Sequence, residues 1–295
     1  MTCRSGLHRR YTAQMSSVSR VCIITAFAAE SRPVRKHLRL RREDVAALPY
    51  PLYRSEQHVL IESGLGKLRA AAAIAGLLAC DPSVRAVLNI GIAGGTGAIG
   101  DSCLAHAVSD RASGRHWYPD LPPRRQLPDV ENHCLVETVD TPENNYRSDR
   151  LFDMEAAGVF AAAVPVLGTA GVQCLKVLSD GPDSPIKAID KNTVSELMGH
   201  QLGTITAMLD HLLARQEPAR EHRNRVSIAA QGLVDATAKH STSERHRLHA
   251  LLSRQLAIHG TLPTTNDLGT PDSAATLAMS LQALVNTPAA ITDKI

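Results

Sequence analysis

Over its first 215 residues, the chain alternates short, continuously apolar segments with alanine-rich segments of helical character. We interpret six apolar segments as strands: RVCIITAF (20–27), HVLIESG (58–64), AVLNIGIAGG (86–95), GDSCLAHAVSD (100–110), HCLVETVDTP (133–142) and GVQCLKVLSD (171–180). Strands that are apolar throughout are typical of a mostly parallel sheet with helices on both faces. The pattern therefore predicts an α/β fold.

Helices are predicted between these strands. AAESRPVRKHLRL follows the first strand, with Pro33 tolerated in a first turn, and GKLRAAAAIAGLLAC follows the second. A further helix is predicted from Asp153, and a long one over roughly 188–215 closes the unit. Each helix is placed to cover the sheet.

Beyond residue 215 the character of the sequence changes. EPAREHRNR is a charged break, and 224–286 has the pattern of amphipathic helices. Ser241 to Glu244 has the form of a capping box, and Gly260 ends the helix that it starts. The predicted organisation is a disordered leader, a compact domain and a helical C-terminal extension: 1–19, 20–215 and 216–295.

Composition excludes several classes of protein. The 32 basic and 29 acidic residues leave a net charge of +3, too small to indicate nucleic-acid binding. The most apolar run, 156–172, contains Pro165 and glycines, which argues against a membrane span. The six cysteines form no CxxC pair, and Cys22, Cys103 and Cys174 lie in predicted strands, so reduced core cysteines are expected.

The N-terminal segment has two interpretations. Residues 1–29 contain four arginines and no acid, which is the composition of a transit peptide. Alternatively, Met15 is the true start and residues 1–14 are not part of the native protein. We favour a disordered leader on a cytoplasmic protein.

Two glycine-rich segments resemble nucleotide-binding motifs but do not indicate nucleotide binding. Gly95 to Gly100 matches the GxGxxG fingerprint, but the fingerprint requires a helix to follow, and SCLAHAVSD is strand-like. GLGK (64–67) resembles the end of a phosphate loop, but Leu68 replaces the required Ser or Thr. No dinucleotide cofactor is expected.

Four polar or glycine-rich pieces do follow predicted strands. They are Glu30, GLGK, GIAGG (91–95) and Ser179-Asp180-Gly181. Open parallel sheets bind ligands outside the carboxyl ends of their strands. A shared site at that edge is therefore predicted.

The order ITAFAAES, SGLGK, NIGIAGG, DMEAAG and LSDG resembles the nucleoside phosphorylase/nucleosidase superfamily, over about residues 20–210. Within it, the sequence is most similar to 5′-methylthioadenosine/S-adenosylhomocysteine nucleosidases. The resemblance implies a three-layer αβα core around a mixed, mostly parallel sheet. It also implies a homo-oligomer, with a dimer favoured, and neither metal nor organic cofactor.

The resemblance also implies roles for individual residues. Asp180 would protonate N7 of the leaving purine, with Ser179 beside it. Glu30 would position and deprotonate the attacking water. Glu155 would hydrogen-bond the ribose hydroxyls while Met154 lies against the sugar.

The remaining candidate ligand contacts are less closely matched to the family. Backbone of the GIAGG turn, at Gly91, Ala93 and Gly94, would approach the ribose and the nucleophile. The segment before DMEAAG is short, and it leaves Tyr146 and Phe152 as candidates to hold the base. Trp117 and Tyr118, in a proline-rich excursion, are candidates for a lid or an interface instead.

Elementary chemistry agrees with these roles. Cleaving a glycosidic C–N bond needs an acid for the leaving base, a base for water, and negative charge near a cationic sugar. An aspartic acid protonates a leaving group near neutral pH where burial favours its neutral form, and the apolar run CLKVLS precedes Asp180. Purely structural explanations also exist: Glu30 and Glu155 as acids at helix starts, and Asp180 as part of a turn.

Hydrolysis is the leading prediction, and two alternatives stay open. Asn89 stands where the phosphorylase branch typically has an arginine, which favours water over phosphate, although Arg32 and Arg35 lie near Glu30. Ile92 replaces a small or hydroxyl residue of the family. A phosphorylase, with phosphate as co-substrate, is therefore one alternative, and a catalytically inactive nucleoside-binding regulator is the other.

The sequence does not determine the 5′ group of the purine nucleoside, because related branches of the superfamily act on futalosine-type and hopanoid-linked compounds.

Overall fold

The computed structural model describes residues 19–122, 132–184, 190–235, 241–264, 267–268 and 273–286. The chain divides into two compact units, Met1–Gln216 and Glu217–Ile295. Residues 1–18 of the predicted leader lie outside the described residues.

The described part of the first unit contains a large mixed sheet. Its strands are β1 (Arg20–Thr25), β2 (Arg41–Glu43), β3 (Leu52–Arg54), β4 (His58–Glu62), β5 (Val84–Gly94), β6 (Ser102–Asp110), β7 (His116–Trp117), β8 (Asn132–Thr138), β9 (Arg150–Asp153) and β10 (Val172–Asp180). All six predicted strands are confirmed. The short strands β2, β3, β7 and β9 were not predicted from the sequence.

The middle of the sheet is parallel. β4, β1, β5 and β10 pair in that order with parallel register, and β2 and β3 extend the β4 edge with antiparallel pairing. At the other side β10 pairs with β6, β6 with β8, β8 with β9, and β9 returns to β5. These five strands close into a ring, which brings the ends of β5, β9 and β10 together.

Helices cover both faces of the sheet. The helices of this unit are α1 (Ala28–His37), α2 (Lys67–Cys80), α3 (Ala156–Leu167), α4 (Lys191–His200) and, as far as Gln216, α5 (Leu202–Asp235). One buried apolar cluster joins α2 and α3 to the sheet, and a second joins α1, α4 and the start of α5 to its other face. The predicted three-layer αβα core is confirmed.

The helix predicted from Asp153 begins three residues later. Asp153 is the last residue of β9, Glu155 is the N-cap, and α3 starts at Ala156. The backbone N–H of Ala156 donates to Asp153 Oδ2 at 2.8 Å. Asp153 therefore ends the strand and satisfies a first-turn N–H group from outside the helix.

The single helix predicted over 188–215 is wrong in two respects. α4 ends at His200, and α5 begins after Gln201. The charged segment EPAREHRNR, predicted as a break, lies inside α5. Charged side chains suit a helix as well as a loop, so the charge did not mark the end of the helix. The two compact units nevertheless divide between Gln216 and Glu217, where the charged segment begins.

Pro33 lies in the second turn of α1 rather than the first. Proline has no N–H to donate to the carbonyl of Ala29 four residues earlier. That carbonyl accepts a hydrogen bond from Ser195 Oγ of α4 at 2.7 Å instead. The contact compensates for the missing backbone bond and ties α1 to α4.

The second unit is helical and has an apolar cluster of its own. α6 (Thr242–His259) and α7 (Ala274–Asn286) pack with the later part of α5 around Leu252 and Leu281. The predicted capping box at Ser241 and Glu244 is present, and Gly260 ends α6 in the left-handed conformation. The predicted C-terminal helices are confirmed.

Two further observations bear on the sequence predictions. No helix in the described part of the chain is long and apolar enough to cross a membrane. Cys22, Cys103 and Cys174 lie buried in β1, β6 and β10, as predicted.

Candidate active site

A cavity of about 80 Å³ opens at the carboxyl edge of the sheet. Glu30 reaches it from the first turn of α1, Glu155 from the start of α3, and Asp180 from the end of β10. The lining comprises Phe27, Glu30, Leu65, Ile92, Ala93, Gly94, Val139, Pro142, Glu143, Phe152, Asp153, Met154, Glu155, Ser179 and Asp180. The three predicted carboxylates thus share one cavity.

Glu30 is buried and held by backbone donors. Its Oε2 accepts from the N–H groups of Ala26 at 2.8 Å and Phe27 at 3.2 Å, and its Oε1 accepts from Ile92 N at 3.0 Å. Burial raises the pKa of Glu30 above its ordinary value, although Lys176 and these N–H groups favour the charged form. The result is a fixed carboxylate with increased basicity.

The glycines of GIAGG make room for these acids. A Cβ at Gly91 would lie 2.6 Å from Glu30 Oε1, and one at Gly94 would lie 2.5 Å from Asp180 Oδ2. Gly91 to Gly94 lie inside β5, within the strand predicted over 86–95, so these residues form strand and not turn. Ala93, between them, lies buried in the cavity wall.

Glu155 is bound by the N-terminus of another helix. Gly66, the N-cap of α2, donates its backbone N–H to Glu155 Oε1 at 2.8 Å. Burial raises the pKa of Glu155 to about 7, with Asp153 adding to the rise and Lys176 opposing it. The GLGK segment, which fails as a phosphate loop, therefore holds a carboxylate through its backbone.

A buried ion pair lies behind Glu30 and Glu155. Lys176 Nζ is 2.8 Å from Asp153 Oδ2, and both side chains are almost inaccessible to solvent. Burial lowers the pKa of Lys176, but Asp153, Cys174 and Glu155 together outweigh that effect, so the pKa is raised overall and the side chain stays charged. Asp153 Oδ1 also accepts from Thr138 Oγ1 at 2.7 Å.

Lys176 was not predicted from the sequence. A lysine inside the apolar segment QCLKVL was the available signal, because a buried lysine needs a partner. The identity of that partner depends on the fold, which brings β9 beside this part of the sheet.

Asp180 carries two hydroxyl hydrogen bonds. Ser179 Oγ donates to Oδ1, and Tyr146 Oη donates to Oδ2 at 2.6 Å. Only 3% of Asp180 is exposed. Burial and the bond to Asp180 raise the pKa of Tyr146, so this phenol is the donor.

Apolar side chains complete the wall. Met154 and Phe152 line the cavity, and Phe152 pairs with Gly94 across β9 and β5. The Arg111 guanidinium lies 5.1 Å from the centre of the Phe152 ring. Ile92 contributes its side chain to the cavity and its N–H to Glu30.

Other predicted residues lie elsewhere. Trp117 packs on the cluster beneath α2 and α3, and Tyr118 is exposed, so neither lines the cavity. Arg32 is exposed, whereas Arg35 pairs with Glu62 at 3.5 Å and stacks on Tyr53. The described residues that line the cavity include five carboxylates and no lysine or arginine.

Asn89 is buried behind the site, where its Nδ2 donates to Ile24 O at 3.4 Å and its Oδ1 accepts from Cys174 Sγ at 3.4 Å. Within the described residues, no group of three or more His, Cys, Asp or Glu side chains is arranged to hold a metal ion.

Solved nucleosidase structures share this architecture. A 5′-methylthioadenosine/S-adenosylhomocysteine nucleosidase from Colwellia psychrerythraea, solved with adenine, is 20% identical with a TM-score of 0.55, over 66% of this chain and 96% of that chain. A 5′-methylthioadenosine nucleosidase from Arabidopsis thaliana is 18% identical with a TM-score of 0.56, over 66% and 96% of the two chains. The fold is that of these nucleosidases.

The nucleosidase fold also extends to a futalosine hydrolase from Helicobacter pylori, 14% identical with a TM-score of 0.56, over 66% of this chain and 99% of that chain. No protein-family model and no curated protein sequence matches the chain. The resemblance drawn from the sequence is therefore confirmed at the level of the fold.

Proposed function

We propose that the chain hydrolyses the N-glycosidic bond of a 5′-modified, adenosine-type purine nucleoside and releases the base. The observation that carries the proposal is the convergence of Glu30, Glu155 and Asp180 on one cavity. They come from three separate strand ends, so a single turn or helix start does not account for their meeting. The reaction needs neither metal nor organic cofactor.

Each carboxylate has a role in the proposed reaction. Asp180 donates a proton to N7 as the bond from C1′ to N9 breaks, and Glu30 takes a proton from the water whose oxygen bonds to C1′. Glu155 binds the ribose hydroxyls, and Met154 lies against the sugar. Ser179 orients Asp180 through its hydroxyl, while Gly91, Ala93 and Gly94 bring the backbone close to the sugar.

Water is preferred over phosphate for an electrostatic reason. Five carboxylates line the cavity, and the described lining has no basic side chain to offset a phosphate dianion. Lys176 lies close by, but Asp153 already neutralises it. The same negative charge would stabilise a cationic, oxocarbenium-like sugar.

The proposed substrates are methylthioadenosine and S-adenosylhomocysteine. Support comes from the nucleosidases that share the fold, whose names give those compounds. A futalosine hydrolase has the same fold, so a larger 5′ group belongs among the substrates to be tested.

The decisive experiment measures adenine release from methylthioadenosine, S-adenosylhomocysteine and adenosine, with and without phosphate. We expect release that is independent of phosphate and that falls by about 100-fold or more in Asp180→Asn. Asp183→Asn is the matched control, because Asp183 lies three residues away in the same SDGPD segment and is exposed. This control should retain wild-type turnover.

Other results would redirect the assignment. Release only in the presence of phosphate would indicate a phosphorylase and remove Glu30 from its role as base. Binding of adenine without turnover of these nucleosides or of a futalosine-type compound would indicate a nucleoside-binding regulator.

A further inference from the structure

The segment 140–149, which follows β8 and Val139, passes beside the cavity without forming a helix or strand. None of its residues is buried, and only Glu143 and Tyr146 are half-buried. Segments with few buried contacts open at little free-energy cost. We refer to residues 140–149 as the lid.

One of the two half-buried side chains contacts Asp180. Tyr146 Oη donates to Asp180 Oδ2 at 2.6 Å, and a Cβ built on Gly94 would lie 2.8 Å from Tyr146 Cε1. The ring therefore packs on Gly94 and its hydroxyl occupies one oxygen of the proposed acid. Ser179 occupies the other oxygen.

The remaining contacts of the lid tie it to the domain. Glu143 forms an ion pair with Arg111 beside Phe152. At the two ends, Asp140 pairs with Lys67 at 2.9 Å and Asp149 with Arg150 at 2.6 Å. The lid thus has two anchored ends and only two side chains that reach inward.

Both carboxylate oxygens of Asp180 are therefore occupied in the free protein, one by Ser179 and the other by Tyr146. Since Asp180 must contact the purine, the lid side chain now on Asp180 is the one that has to move.

We propose that Tyr146 occupies the base position on Asp180 in the free protein, and that the purine binds by displacing it as the lid opens about Asp140 and Asp149. This proposal rests on the proposed function. Tyr146 then competes with the purine for Asp180, so its hydroxyl weakens binding and excludes ligands that cannot replace its hydrogen bond.

The test is the affinity for adenine, measured by calorimetry, of the wild-type chain and of Tyr146→Phe. The variant keeps the ring and loses only the hydrogen bond to Asp180. Because the hydrogen bond from Tyr146 to Asp180 is broken on binding in the wild type alone, we expect the variant to bind adenine about tenfold more tightly. Tyr118→Phe, at an exposed tyrosine outside the cavity, should bind as the wild type does.

The outcomes separate this proposal from the proposed function. Tighter binding by Tyr146→Phe supports it, and general damage to the fold would not produce that gain. Unchanged or weaker binding by this variant, with normal binding by the wild type, overturns the competition and leaves the proposed function standing. Failure of both proteins to bind adenine overturns both.

Discussion

Asp153 and Glu155, the two acids just before α3, have different roles. Asp153 accepts the N–H groups of Glu155 and Ala156 and pairs with Lys176, which is the ordinary use of an acid at a helix start. Glu155 makes no capping bond to its own helix and is held by Gly66 of α2. The role of an acid that stabilises a helix start therefore applies to Asp153, whereas Glu155 faces the cavity.

Because Glu155 is buried, we expect its replacement to raise the stability of the protein and to lower its activity. Its pKa is about 7 in the folded protein against an ordinary value of 4.5. Between these pH values the folded chain holds a proton that the unfolded chain has lost, so this group's contribution to the free energy of unfolding falls as pH rises from about 4.5 to about 7. Glutamine does not titrate and can still accept from Gly66.

We therefore expect Glu155→Gln to be more stable than the wild type at pH 8, by on the order of 3 kcal/mol, and nearly equal at pH 5. Turnover should fall about 100-fold or more. Denaturant unfolding at both pH values checks the stability, with exposed Glu196→Gln as the control. A stability difference that is the same at pH 5 and pH 8 would contradict the assignment.

At the scale of elements, the contact between α2 and α3 determines where Glu155 lies. A Cβ on Gly158 of α3 would lie 1.9 Å from the backbone oxygen of Lys67, the first residue of α2. The glycine therefore lets the two helices approach closely, and Gly66, which binds Glu155, is the next residue back. Packing between helices and geometry of the site are thus coupled.

Replacing Gly158 by alanine should push α2 away from α3. We expect Gly158→Ala to lower the free energy of unfolding by about 1–3 kcal/mol and to reduce turnover through the Gly66–Glu155 contact. Gly199→Ala in α4 is the matched control, since no atom lies within 4 Å of its added Cβ. That control should be neutral or up to about 1 kcal/mol more stable in urea denaturation. Equal effects of the two substitutions would argue against the close contact.

Sequence reasoning identified the elements whose signals are local. Continuous apolar runs identified β1, β4, β5, β6 and β10, because each is buried over most of its length, and β8 was identified although only Val136 and Thr138 of it are buried. β9 escaped prediction since four residues carry little pattern of their own and owe their conformation to pairing with β8. The break at Gln201 was missed although Gly199 and Gly203 flank it.

The same distinction applies to the site. Glu30, Glu155 and Asp180 were found because each stands beside a strand end that the sequence reveals. The segment GLGK and Tyr146 were also named as parts of the site, but their hydrogen bonds to Glu155 and Asp180 were not predicted, since Gly66 and Tyr146 are 89 and 34 residues away from these partners. Contacts between residues so far apart in the sequence follow from the closure of the sheet rather than from any local sequence pattern. The cytoplasmic location and the dimer stay predictions.

At the scale of the whole molecule, two hydrophobic cores suggest two unfolding events. The sheet and its helices have their own buried clusters in Met1–Gln216, and Leu252 and its neighbours form another in Glu217–Ile295. The proposed ligand site belongs to the first unit alone. A ligand that binds there stabilises only the structure that must stay folded to hold it.

We therefore expect adenine, at about 100 times its Kd, to stabilise the first unit by about 2.7 kcal/mol and to leave the second unchanged. The one tryptophan of the chain, Trp117, lies in the first unit, so its fluorescence follows that unit, whereas far-UV circular dichroism follows the helices of both. Adenine should raise the unfolding midpoint that fluorescence follows, and the midpoint of only one of the two unfolding transitions that circular dichroism follows. Asp180→Asn should abolish this shift. A single transition that moves as a whole would mean that the two units unfold together, and the second unit would then contribute to the stability of the site.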